Sequence, residues 1–202
     1  KTAEPWLLIA ELEPNSAITT LQSGAANNPE SLRIWTDLAR RSLRARSMTT
    51  AVGAYSQAIR LDPEDRALRI EAALLEEIAA GSLDWAPVFT LLDTRAAPRD
   101  PATLSGLDTV VADWPASPLA LMIRGNTRQI QTDPAGAEAD LRAALKLAPT
   151  SPEIASSLGL LLLGERRPEE AVPLLTLATQ AWPDDVALNL SLIHISEPTR
   201  QI

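Results

Sequence analysis

The sequence predicts an all-α fold of stacked helix pairs, on three observations. Prolines recur 34 residues apart, at Pro29 and Pro63 and again at Pro115, Pro149 and Pro183. Small residues keep step with them: Ala51 and Ala58 precede Pro63, Ala137 and Ala144 precede Pro149, and Ala171 and Ala178 precede Pro183. The apolar residues, 46% of a 202-residue chain, are mainly Ala and Leu with only 3% aromatics, a mixture that favours helices over strands.

The stretch Leu32 to Asp65 shows one unit in full. With Leu32 as position 1, Trp35, Leu38 and Ala39 fall at positions 4, 7 and 8 of a first helix. Ala51, Tyr55 and Ala58 fall at 20, 24 and 27 of a second, and Pro63 at 32. Apolar residues three and four apart give each helix one buried stripe. Small residues at 8, 20 and 27 let two helices cross closely. Proline stops the second helix because it lacks an N–H and clashes with the preceding turn. This pattern resembles the tetratricopeptide repeat, whose helix–turn–helix units carry large residues at 4, 7, 11 and 24, small ones at 8, 20 and 27, and proline at 32. Two positions depart from it: Ser42 stands where a large residue is usual, and Arg46 replaces the usual turn glycine. The resemblance implies an open right-handed α-α superhelix, here of about five helix pairs and irregular at 84–113.

Within a helical domain spanning 1–189, the first repeat occupies about 1–31. Ala17, Leu21 and Gly24 hold its positions 20, 24 and 27, and Pro14 is expected as the first residue of its second helix, where a missing N–H costs nothing. The second repeat is 32–65. A divergent repeat follows at 66–98, with a first helix Arg66–Ala80 stopped by Gly81 and a partner over Asp84–Ala96, with Ala86 and Pro98 roughly in register. Asp100–Pro101 caps one further helix to about Asp113, read as an extra helix within 99–117 and as an insertion. The pattern then returns at 118–151 and 152–185. Ser117 and Ser151 cap helices opened by Pro118 and Pro152, Gly125 and Gly159 hold position 8, and Pro134 and Pro168 open the second helices. Leu190–Arg200, LSLIHISEPTR, matches the translation of a transposase-type sequencing adapter. Residues 190–202 are therefore expected to be a non-native tail and the chain a fragment cut near Asn189; the alternative is a genuine amphipathic tail opening the next repeat.

A net charge of −8 argues against a general nucleic-acid or anionic-membrane binder. No apolar run is long enough for a transmembrane span. With no cysteine, and with His194 in the tail as the only histidine, the residues for a Cys/His metal site or a Ser-His-Asp triad are missing. No cofactor is expected, nor any phosphate-cradling glycine motif. The local exception to the acidic background is Arg33, Arg40, Arg41, Arg44 and Arg46. Arg33, Arg40 and Arg44, spaced by seven and four, share one helix face. The family resemblance puts their columns on the concave binding surface, where guanidinium groups would hold carboxylates or phosphates of a partner. The plainer alternative is a solvated face paired with acids on a neighbouring repeat. In the repeat from Pro118 the same columns hold Met122, Asn126 and Gln129, a mixed apolar and amide lining suited to an extended peptide. The tryptophans read as structural, with Trp114 and Trp182 wedging consecutive units and Trp6 and Trp85 the candidates for exposure.

The function expected is a non-catalytic protein–protein interaction module, a scaffold or adaptor region of a larger bacterial-type protein that binds a partner peptide or helix on its concave face. The alternative is a helical accessory region of a truncated enzyme, such as a glycosyl- or sulfo-transferase. Self-association through open ends of the array is a third expectation.

Overall fold

A computed structural model describes residues 2–96 and 98–196, and the regular structure of these residues is all α-helix. The chain divides into two compact units within one helix, at Glu76 and Glu77, and each unit is described separately.

The first unit holds α1 (Glu4–Leu12), α2 (Ala17–Asn27), α3 (Leu32–Arg44), α4 (Met48–Leu61) and most of α5 (Arg66–Ala80). α1 pairs with α2 and α3 with α4, while α2 also packs on α3. The hairpin of α3 and α4 closes on Ala39, Ala51, Tyr55 and Ala58, all buried. Ser31 caps α3 by accepting the Ile34 N–H at 3.4 Å. α2 starts at Ala17, three residues later than Pro14 leads one to expect. Pro14 lies in a turn, because Glu13 accepts the Ser16 hydroxyl at 3.0 Å and so leaves α2 without a side-chain cap. In this repeat Gly24 meets Trp6, whose Cβ and Cγ lie 2.9 Å from where a glycine Cβ would be, so the indole fills the space that a side chain there would take.

The second unit holds the end of α5, then α6 (Trp85–Ala96), α7 (Pro101–Asp113), α8 (Pro118–Ile130), α9 (Pro134–Leu147), α10 (Pro152–Gly164), α11 (Pro168–Ala181) and α12 (Val186–Ser196). α8 pairs with α9 and α10 with α11, and each pair meets the next through α9 and α10 or α11 and α12. Ser117, Ser151 and Asp100 cap their helices as expected, and Asp133 caps α9 in the same way, each accepting a backbone N–H at 2.9–3.3 Å. Such caps are each worth about 1 kcal/mol. Trp182 is buried beside Pro183, whereas Trp114, Trp6 and Trp85 are half-buried.

The middle differs from expectation. α6 contacts both α7 and α8, and α7 contacts α8, the relation that α8 and α9 have to α10. Counted back from Pro115, Leu107 and Val110 take positions 24 and 27, and both are buried. Ala86, expected at a close helix crossing, is exposed, while Val88 and Leu91 face inward. α7 thus packs against both of its neighbours, α6 and α8.

Tight turns join the helices. After α3, α5, α8 and α10 the N–H groups of Ser47, Ser82, Asp133 and Arg167 reach back to the carbonyls of Ser42, Glu77, Arg128 and Leu162 at 2.9–3.0 Å. This is the left-handed helix stop for which glycine is the usual residue. Only Gly81 fits that rule here; Arg46, Thr132 and Arg166 adopt φ of 56°, 65° and 61°. The departure legible at Arg46 recurs at two more turns.

Candidate protein-binding surface

α3 turns Ile34, Leu38, Ala39 and Leu43 into the core, so its opposite face carries Arg33, Arg40 and Arg44 in the open. Two shallow depressions follow this face. One, of about 530 Å³, is lined by Leu7 and Glu11 of α1 and by Leu32, Arg33, Thr36 and Arg40 among others. The next, of about 500 Å³, is lined by Pro14, Ala17 and Ile18 together with Asp37, Arg40, Arg41 and Arg44. The structure therefore brings the three expected arginines to one surface of the first unit.

Their chemistry differs. Arg40 is tied side-on to Glu71 of α5, Nε donating to Oε2 at 2.9 Å and Nη2 to Oε1 at 3.1 Å. The Tyr55 hydroxyl donates to the same Oε2 at 3.0 Å. The Glu71 side chain is only 10% exposed, against 48% for Arg40. The hydrogen bond to Glu71 raises the Arg40 pKa above its ordinary value against the opposing effect of burial. Arg41 pairs with Asp37 one turn back, at 3.0 Å. Among the described residues, Arg33 and Arg44 have no ion pair or hydrogen bond through their guanidinium groups. Pairing with a neighbouring repeat, the plainer alternative for these arginines, thus applies to Arg40 and not to the other two.

The second expected set is not brought to one open surface. Met122 is fully buried, which corrects its assignment as a groove residue. The reason is crowding: α8 is contacted by α6, α7, α9 and α10, and Leu119 to Ile123 are buried on every side. Asn126 is half-buried and donates its amide to Ser157 Oγ at 3.3 Å, while Gln129 is exposed near the end of the helix.

Two polar clusters escaped the sequence reading. Asp140 of α9, with its side chain 5% exposed, accepts from Arg124 Nη2 at 2.6 Å and Arg128 Nη1 at 2.9 Å, and Asp108 of α7 accepts from the same two arginines at 3.1 and 3.3 Å. The hydrogen bond to Asp140 raises the Arg124 pKa. Arg124 and Arg128 fill positions 7 and 11, where the neighbouring repeat has Leu158 and Leu162. Charge in two apolar columns was the available signal. The second cluster centres on Glu77, a buried carboxylate that accepts the Ser117 hydroxyl and, at 2.8 Å, the Leu119 N–H at the start of α8. Burial pushes its pKa up, against the lowering effect of both hydrogen bonds.

Among the described residues no group of three or more His, Cys, Asp or Glu side chains converges as a metal site, and no helix is long and apolar enough to cross a membrane. The side chain of His194 and residues 197–202 of the expected tail lie outside the described residues.

Paired helices with 34-residue spacing, tight left-handed turns and a polar face on the first helix define a helical-repeat module for binding proteins. The tetratricopeptide repeat family model matches residues 6–66 and 124–186, more than half of the chain, and the chain belongs to this family. Proteins of the family are in general non-catalytic interaction modules. Similar solved structures include TTC0263, a thermophilic TPR protein of Thermus thermophilus, at 20% identity and a TM-score of 0.44 over 96% of this chain and 99% of that one. PilW, a type IV pilus biogenesis factor, matches at 14% identity and a TM-score of 0.49 over 96% and 86%. YrrB, a TPR protein with an unusual peptide-binding site, matches at 14% identity and 0.44 over 96% and 92%. A search of curated proteins finds no match.

Proposed function

We propose that the chain is a scaffold or adaptor module that holds a partner peptide along α3 of its first unit. The observation that carries this reading is the pair of exposed arginines without partners among the described residues, Arg33 and Arg44, at the two ends of adjoining depressions. In a chain of net charge −8 this is a local reversal of sign, and it favours a partner segment carrying carboxylates. Apolar side chains beside the arginines, Leu7, Leu32 and Ile18, offer contact area for the rest of the segment.

The test is selection from a random peptide display library on the immobilised chain, followed by Arg33→Glu with Arg44→Glu. Peptides that bind the parent and are lost from the charge-reversed variant, with the helical circular dichroism unchanged, support the reading. Selected peptides that bind the variant equally well would place the binding surface elsewhere. Arg40 is left alone in this variant because reversing it would also set two carboxylates, its own and that of Glu71, against each other.

A further inference from the structure

We propose that the first unit reads an extended acidic peptide by the spread of its carboxylates, with Arg40 as a fixed central anchor that Glu71 and Tyr55 hold in place. The inference rests on the binding surface proposed above and adds the chemistry and register of what occupies it.

The register follows from helix geometry. Arg33 and Arg44 are eleven residues apart on α3, a rise of about 16 Å, with Arg40 about 6 Å from the Arg44 end. An extended segment advances about 3.3 Å per residue, so about six residues cover that length. Side chains of an extended segment alternate in direction, so three carboxylates on every second residue face one way and span about 13 Å, a length the long arginine side chains can reach to meet at all three positions. Three adjacent carboxylates span too little and reach only the Arg40–Arg44 end. The carboxylates already lining the surface do not fill these positions: Asp37 is bound to Arg41, and Glu11 is a single charge on α1.

Two roles are open to Glu71, as a competitor that a ligand must displace or as a positioning residue. Its side chain is 10% exposed and is shared with the Tyr55 hydroxyl. A ligand that pulled Arg40 away would break two charge-assisted hydrogen bonds to a nearly buried carboxylate in exchange for one exposed pair, which gains less than it loses. The side-on geometry makes displacement unnecessary. Nε and Nη2 serve Glu71, which leaves Nη1 and the exposed half of the guanidinium for the groove. Tyr55 and Glu71 thus act through Arg40, as a relay that fixes the orientation of a long, otherwise mobile side chain.

The experiment uses the full chain and two fluorescein-labelled peptides of equal composition and charge, Gly-Glu-Ser-Glu-Ala-Glu-Ser-Gly with glutamates spread on alternate residues and Gly-Ser-Glu-Glu-Glu-Ala-Ser-Gly with adjacent ones, read by fluorescence anisotropy at low and high salt. The spread peptide is expected to bind about fivefold or more tighter, and salt to weaken it. Glu71→Gln and Tyr55→Phe are expected to reduce that preference, by about tenfold and threefold in affinity for the spread peptide, with helicity retained. A merely structural role for the relay would lower stability without changing the ratio between the two peptides. Tyr55→Phe removes one hydroxyl and keeps the ring, so it serves even where Glu71→Gln unfolds. Equal binding of the two peptides, or binding of neither, overturns the register. Tighter binding by Glu71→Gln overturns the positioning role, since it would make Glu71 a competitor. Self-association displaced by the spread peptide would put a second copy of the chain in the groove and overturn the choice of occupant. Display-selected peptides without spread acids that are still lost from the Arg33/Arg44 variant would sink this inference alone and leave the binding surface standing.

Discussion

Two glycines of α10 should respond in opposite directions to the same substitution. Gly159 is buried at the crossing with α11, and a Cβ there would lie 2.8 and 2.9 Å from Cδ2 and Cγ of Leu175 and 3.4 Å from Cβ of Leu174. Leu175 is itself fully buried, so its side chain has no open space to swing into. Gly164, the last residue of the same helix, is exposed and has nothing within 4 Å of the position its Cβ would take. Replacing glycine by alanine in a helix interior gains about 1 kcal/mol of helix propensity, and somewhat less at a helix end. Adding a methyl group to a filled crossing costs about 1–3 kcal/mol. Gly159→Ala is therefore expected to lose about 0–2 kcal/mol net, and Gly164→Ala to gain about 0.5–1 kcal/mol. Thermal unfolding followed by circular dichroism would show Tm moving down in one and up in the other, with about 2–4 °C for each kcal/mol in a chain of this size. Equal upward shifts in both would refute the reasoning, because they would mean that α10 and α11 do not approach as closely as described.

Three further outcomes follow from buried polar groups. Asp140→Ala leaves Arg124 and Arg128, 15% and 21% exposed, without their shared carboxylate, and is expected to lower stability in urea by about 2–4 kcal/mol, at the low side for a buried pair because Asp108 remains; a loss below about 0.5 kcal/mol would show the cluster to be open to water. Ser42→Ala removes a buried hydroxyl that has no hydrogen-bond partner among the described residues and should stabilise by about 1 kcal/mol, checked by the denaturation midpoint, with a fall in the midpoint counting against it. Glu77 has a folded pKa above its unfolded one, so the folded chain binds the proton more tightly. The contribution of Glu77 to stability is then greatest below the ordinary glutamate value of about 4.3 and declines as pH rises through the folded value. Glu77→Gln should flatten that decline, and parallel pH profiles for the two proteins would contradict it.

Local chemistry was the legible part of the sequence. The caps at Ser117, Ser151 and Asp100, each beside a proline, set helix starts to the residue, because capping depends on neighbours within three positions. The same proline rule failed at Pro14, where Glu13 spends its side chain on Ser16 and the helix waits for Ala17. Spacing also led to the expectation of one extra helix over 99–117. It could not show what α7 packs against, the contacts with α6 and α8, because those lie outside the helix's own pattern. At the candidate surface, column counting placed Arg33, Arg40 and Arg44 together but could not see that Glu71 holds Arg40 from another helix. It misplaced Met122 for a related reason: four helices enclose α8, and burial by distant elements leaves no mark on the enclosed residue.

The charge cluster at α8 has a consequence for how such a chain can change its length. Repeat arrays grow and shrink by duplicating or deleting whole units, which is harmless while every unit offers its neighbours the same apolar contacts. Arg124 and Arg128 draw one carboxylate from the helix before α8 and another from the helix after it. A deletion that joined α8 to a different predecessor would remove Asp108, and a crossover within the hairpin between α8 and α9 would remove Asp140. Either event would leave two cations in columns where the next repeat keeps leucine. The stretch from α7 to α9 is therefore expected to be inherited as one block, with recombination confined to the joints on either side of it.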